Sequence, residues 1–181
     1  MKPFTRHQLT FFLLAILFIA PGLSAYVVYL HPQWLTQSTT NKGHLLNSPH
    51  KLTALNNEPF WRIILWSPDG LDDASMKQLE QLARVRIALG RHFYDVQLCL
   101  LQRNDAPSLP LHIKKALHDH GIHYISLSEK EITQAALPPS AMVFLANPMK
   151  HMVLEYNITS EPNDIFHDLN ILLNLNKTSK S

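Results

Sequence analysis

Apolar and polar positions divide the chain into a single long apolar run, a polar stretch and a region of short alternating runs. Residues 9–30 are the apolar run, and no Lys, Arg, Asp or Glu occurs between Arg6 and Lys42. Its length suits the roughly 20 residues of a bilayer-spanning helix. Lys2, Arg6 and His7 precede it, which predicts Met1 on the cytoplasmic side and everything after Leu30 exported. Tyr26, Tyr29 and Trp34 suit an interfacial belt. The alternative is a signal peptide cut after Ala25, where Leu23-Ser24-Ala25 is a tolerable small-residue site. The run continues through residues 26–30, which a mature N-terminus does not need. The reading is therefore a cytoplasmic N-terminus at 1–8 and an uncleaved transmembrane anchor at 9–30. Residues 31–58, rich in Thr, Asn, Ser and Pro, read as a linker over the surface of an exported domain at 59–177.

Within that domain the residues WRIILW (61–66) predict a buried strand, and Ser67-Pro68-Asp69-Gly70 a turn. Met76, Leu79, Leu82, Ala83 and Leu89 recur at helical spacing, with Gly90 as the stop. Residues 94–101 predict a second strand with Val96, Leu98 and Leu100 on one face. A helix opened by Ser108 or Pro110 runs to about His120 and ends at Gly121. IHYISL (122–127) is a third strand, followed by a helical turn near 129–136 and by Pro138-Pro139. Strands at 141–147 and 151–156 flank the turn Pro148-Met149-Lys150. A last helix at 163–175 carries Ile165, Phe166, Leu169, Leu172 and Leu173 on one face. Helices between the first strands require parallel crossovers, and the short 147–150 turn requires an antiparallel pair. The expected fold is α/β, a thioredoxin-like mixed sheet flanked by helices, with one N-terminal transmembrane helix.

Composition narrows the chemistry. Apolar residues make up 46% and charged residues 17%, which excludes disorder as a description of the whole chain. The formal charge of +2 is spread without a basic stripe, so nucleic acid is not an expected partner. The single cysteine, Cys99, excludes an internal disulfide, a Cys-x-x-Cys pair and any all-cysteine metal site. Its apolar neighbours Leu98 and Leu100 predict a small buried hydrophobe. Asp72 and Asp73 read as helix caps rather than as an acid–base pair. His118, His120 and His123 are the densest set of candidate ligands, able to converge on zinc or copper with His151 as fourth partner. The plainer reading of these histidines is a solvated helix C-terminus facing its dipole. No Ser-His-Asp spacing, phosphate loop or His-Glu-x-x-His signature is present.

Thr40-Asn41-Lys42-Gly43 with Leu45-Leu46, Ser67-Pro68 closing the first strand, and Arg84-Val85-Arg86-Ile87-Ala88-Leu89-Gly90 form a recognisable set with Asn147-Pro148 and the final Leu-rich helix. With these stretches the chain resembles a family of small bacterial membrane-anchored proteins found with cytochrome c oxidase assembly factors, related in fold to Sco-type copper chaperones and thioredoxins. Relatives with redox or copper chemistry carry a Cys-x-x-x-Cys pair at the start of the first helix. Here the resemblance puts Leu71 and Ser75 at those positions, neither of which forms a disulfide or acts as a thiolate ligand. It also puts Pro139 where such folds carry a proline beside the active site. That proline would shape a groove facing Leu71 and Ser75 for an extended peptide or a partner's loop, a structural turn proline being the alternative. The resemblance implies a non-enzymatic binding module in a bacterial inner membrane, with its C-terminal domain in the periplasm. Its implied partners are respiratory oxidase subunits or assembly factors, with no resident cofactor. Copper or zinc handling through the 118–123 histidines is the alternative function.

Overall fold

The computed structural model describes the backbone of residues 6–30 and 41–178. The chain divides into two compact units, Met1–Thr40 and Asn41–Ser181. In the first, Arg6–Leu30 forms one helix of 25 residues (α1), with Pro21 inside it. The side chains of residues 6–13 and of Val28 lie outside the described ones, so the expected anchor is described only in part. Among the described residues no helix is long and apolar enough to cross a membrane. Residues 1–5 of the expected cytoplasmic terminus and 31–40 of the expected linker are also outside the described residues.

The second unit is built on a six-stranded sheet. Its strands are β1 (His44–Leu45), β2 (Trp61–Trp66), β3 (Val96–Arg103), β4 (Ile122–Leu127), β5 (Met142–Ala146) and β6 (Met152–Asn157). They lie in the order β1-β6-β5-β2-β3-β4. β2, β3 and β4 run parallel, whereas β5 is antiparallel to β2, and β6 to both β5 and β1. Helix α2 (Asp73–Ala88) crosses over from β2 to β3, and α3 (Leu111–Asp119) from β3 to β4. A short α4 (Glu129–Gln134) precedes β5, and α5 (Pro162–Thr178) closes the chain.

β2 is central, and all six of its residues are buried, as expected for an apolar run covered on both faces. Alternation sends Trp61, Ile63 and Leu65 into one core with α2 and α5, and Ile64 and Trp66 into a second core on the other face. Burying each such aliphatic side chain contributes about 2 kcal/mol. The Trp66 indole N–H also donates to the Pro138 carbonyl at 2.8 Å, fastening the loop before β5 to the central strand.

Two local expectations are corrected. Residues 94–95 are not the start of β3. They belong to a 3₁₀ turn, Gly90–Asp95, entered through Gly90 at φ +55°, and the buried His92 ring lies 2.9 Å from Asp95. The polar segment 41–58 is not a linker lying over the surface but part of the domain. β1 pairs with β6, Lys51 bridges to His151, and Leu52 and Leu55 are buried in the second core. The cause is Asp168 on α5, whose carboxylate accepts the backbone N–H groups of Lys42 and Gly43, each at 2.8 Å. Gly43 is required there, because a Cβ would stand 2.5 Å from the Tyr156 ring.

Candidate functional site

The turn after β2 and the start of α2 form one wall of a cleft of about 440 Å³. Asp72 is the N-cap of α2, and the Ser75 N–H donates to its Oδ1 at 2.8 Å. This bond satisfies one of the helix's free N-terminal donors. Ser75, placed one turn into the helix, is buried, and its hydroxyl oxygen hydrogen-bonds that of Ser67 at 3.2 Å. The Ser67 hydroxyl also donates to the Gly70 carbonyl. Gly70, at φ +109°, turns the chain so that Asp69 and Leu71 come to the rim. The opposite wall is the loop between β3 and α3, with Pro107, Leu109 and Pro110, and Ala141 before β5 completes it. The hydrogen bonds from Ser75 hold the Asp72 carboxyl below the usual carboxylate range, so it is ionised at neutral pH.

Leu71 and Ser75 therefore share one cleft at the helix start, Leu71 half-buried at the rim and Ser75 on the floor. Pro139 does not join them. It is exposed, and Ala141 is the residue of that loop that reaches the cleft. The described residues contain no cis peptide bond. The two prolines end α4's loop, and the Pro138 carbonyl is committed to Trp66, so the turn here serves to position β5.

The histidines are not brought together. His118 is 90% exposed at the side chain and lies 3.8 Å from its neighbour Asp119. His120 lines an apolar groove between α2 and α3. His123, level with Cys99 on the neighbouring strand, faces a separate hollow shared with Arg62 and Gln97. Residues three apart, one ending a helix and one in a strand, thus serve different hollows. Among the described residues no group of three or more His, Cys, Asp or Glu could hold a metal ion. His151 is half-buried and paired by backbone to Lys51. Cys99 lies in the second core, and burial pushes its thiol up to about 12, against smaller opposing effects from Arg62 and Arg86.

Sequence reasoning did not find Asp69, Pro107, Leu109 and Pro110 as cleft residues, or the Asp168 clamp. The Asp-Gly turn and the Pro-Ser-Leu-Pro spacing were visible, but nothing local showed that the two loops face each other.

Two parallel crossovers, a closing antiparallel hairpin and a cleft at the start of the first crossover helix define a thioredoxin-like domain. The chain belongs to the family described as transmembrane-like, thioredoxin-like, C-terminal domain, which it matches over residues 61–176. No curated protein matches the sequence significantly. Among solved structures, yeast Sco1 with copper bound is similar at 16% identity and TM-score 0.54, over 72% of this chain and 94% of that one. Arabidopsis thaliana ScoI with copper bound is similar at 12% identity and TM-score 0.52, over 66% and 88%. Apo Sco1 from Thermus thermophilus is similar at 17% identity and TM-score 0.51, over 75% and 98%. At these identities the likeness is one of fold.

Proposed function

We propose that the chain is a membrane-anchored binding module of thioredoxin-like fold that works without thiol chemistry and assists the assembly of a haem–copper oxidase from the periplasmic side of a bacterial inner membrane. The observation that carries this reading is the cleft itself. It opens at the start of the first crossover helix and is lined by Leu71 and the hydrogen-bonded Ser75 hydroxyl, the two residues that the sequence resemblance puts in the cysteine positions, and the only thiol is in the core. A hydroxyl there has no disulfide chemistry, and Cys99 is too buried to supply a thiolate. What is left is an open, preformed cleft suited to receiving part of another protein. Support for the anchor is the charge-free apolar run at 9–30 and the family's transmembrane-like description. Support for the oxidase link is the sequence resemblance to membrane proteins found with oxidase assembly factors.

The test is affinity purification of the full chain from gently solubilised membranes, with copper and zinc measured on the same sample. Oxidase subunits or assembly factors without stoichiometric metal are the expected result. Absence of every oxidase component, together with unchanged oxidase levels when the protein is deleted, would refute the assignment.

A further inference from the structure

Helix α2 shares the first core with α3 and α5, and its inward face carries Leu79, Leu82 and Val85. Its outward face is not covered in the same way. Met76, Glu80, Ala83, Arg84 and Ile87 recur at helical spacing and keep to one side of the helix. All five border the apolar groove of about 420 Å³ that α2 forms with α3, where Ile113 contributes to the far wall. Ile87 is 67% exposed in the last turn of α2, an aliphatic side chain standing in water beside an open groove.

A second observation is the order of charges on that stripe. Glu80 and Arg84 are both exposed, one turn apart, and neither joins an ion pair among the described residues. Arg86, by contrast, is committed within the domain. Its Nε donates to the Val96 carbonyl at 2.8 Å, and its guanidinium lies over the Phe93 ring at 4.3 Å. A negative and a positive charge spaced evenly about residue 82 are their own complement under a two-fold axis. When a second α2 is laid antiparallel against the first at that point, each Glu80 meets the other copy's Arg84. The same operation carries each Ile87 to the Met76 end of the other groove. Ala83, beside the axis, is small enough for the two helices to approach closely.

We infer that two copies of this chain pair through α2, in a symmetric interface that closes each α2–α3 groove with the other copy's Ile87 and joins Glu80 to Arg84 twice. The interface is separate from the cleft and goes beyond the binding-module reading, which does not require it.

The experiment is sedimentation velocity of the full chain in detergent micelles, over a concentration series into the high micromolar range. Wild type should show a concentration-dependent monomer–dimer equilibrium. Arg84→Glu and Glu80→Arg should each weaken it about tenfold or more, because like charges then face each other twice. The double variant Glu80→Arg, Arg84→Glu restores opposite charges in exchanged order and should dimerise as wild type does. An equimolar mixture of the two single variants should form heterodimers although neither pairs with itself. Both positions are exposed, so every variant should keep the far-ultraviolet circular dichroism of wild type. A wild-type chain that stays monomeric throughout would overturn the inference and leave the groove to another occupant. A dimer untouched by the single substitutions, or not restored by the double, would overturn it as well and place the contact elsewhere, α1 included. No oxidase component is in the sample, so either outcome leaves the assembly reading to its own purification test.

Discussion

The backbone N–H of Gly43 donates to the buried Asp168 carboxylate at 2.8 Å, across 125 residues of sequence. The same carboxylate accepts the Lys42 N–H and the Tyr156 hydroxyl, each at 2.8 Å, and faces the His167 ring at 3.1 Å. It is fully buried, and burial alone would raise its pKa. The amides of Gly43 and Lys42, with His167 and Tyr156, outweigh that effect and hold the carboxyl below its usual range.

Asp168→Asn should therefore destabilise the domain by about 2 kcal/mol, the scale for leaving buried donors on a poorer acceptor. The pH dependence has a definite sign. A carboxyl with a depressed folded-state pKa contributes stability above its unfolded value of about 3.9 and loses it as pH falls through the lower folded value. Urea unfolding at pH 7 and across the acid limb should show wild type losing this contribution below that point and the variant lacking it throughout. Equal stabilities at pH 7 would show that the clamp contributes nothing.

Gly43→Ala should cost about 1–3 kcal/mol, because the added Cβ meets a ring that cannot retreat. Tyr156 is 3% exposed and its hydroxyl is tied to Asp168. Combining the substitution with Asp168→Asn should cost less than the two separately, since both release the same strap. A strictly additive double variant would contradict the shared clamp.

Cys99 should react with Ellman's reagent at pH 8 roughly a hundredfold more slowly in the native protein than in urea, because the buried thiol is scarcely ionised there. Native labelling as fast as that of the unfolded chain would place this thiol at the surface.

Replacing His118, His120 and His123 together by alanine should leave zinc and copper titrations of the full chain unchanged, since the three side chains do not share a hollow. A stoichiometric site lost in the triple variant would show that they converge after all.

Much of the sheet was legible because its strands are either continuous apolar runs, such as Trp61–Trp66, or alternate cleanly, such as Met152–Asn157. Periodicity also located α2 and α5, whose leucines fill the first core. The segment 41–58 was misread because what holds it is backbone. β1 has only two residues, both exposed, and its fastening is two amides on a carboxylate far along the chain. Composition carries no trace of such a bond. The histidines misled for a related reason. Spacing in sequence suggested convergence, but the turn at Gly121 separates the end of a helix from a strand whose side chains alternate between faces. The cleft was half legible. Ser67 to Ser75 form a local unit, but Pro107 to Pro110 join it only because β2 and β3 are neighbours.

The clamp between residues 42–43 and 168 also sets an order of events during biosynthesis. Residues 42–43 leave the ribosome well over a hundred residues ahead of their acceptor, so the edge of β6 can be sealed only after α5 has been made. Until α5 is in place, β6 presents unpaired backbone of the kind that recruits foreign strands. A nascent or C-terminally truncated form should therefore depend on holding factors in a way that the finished protein does not.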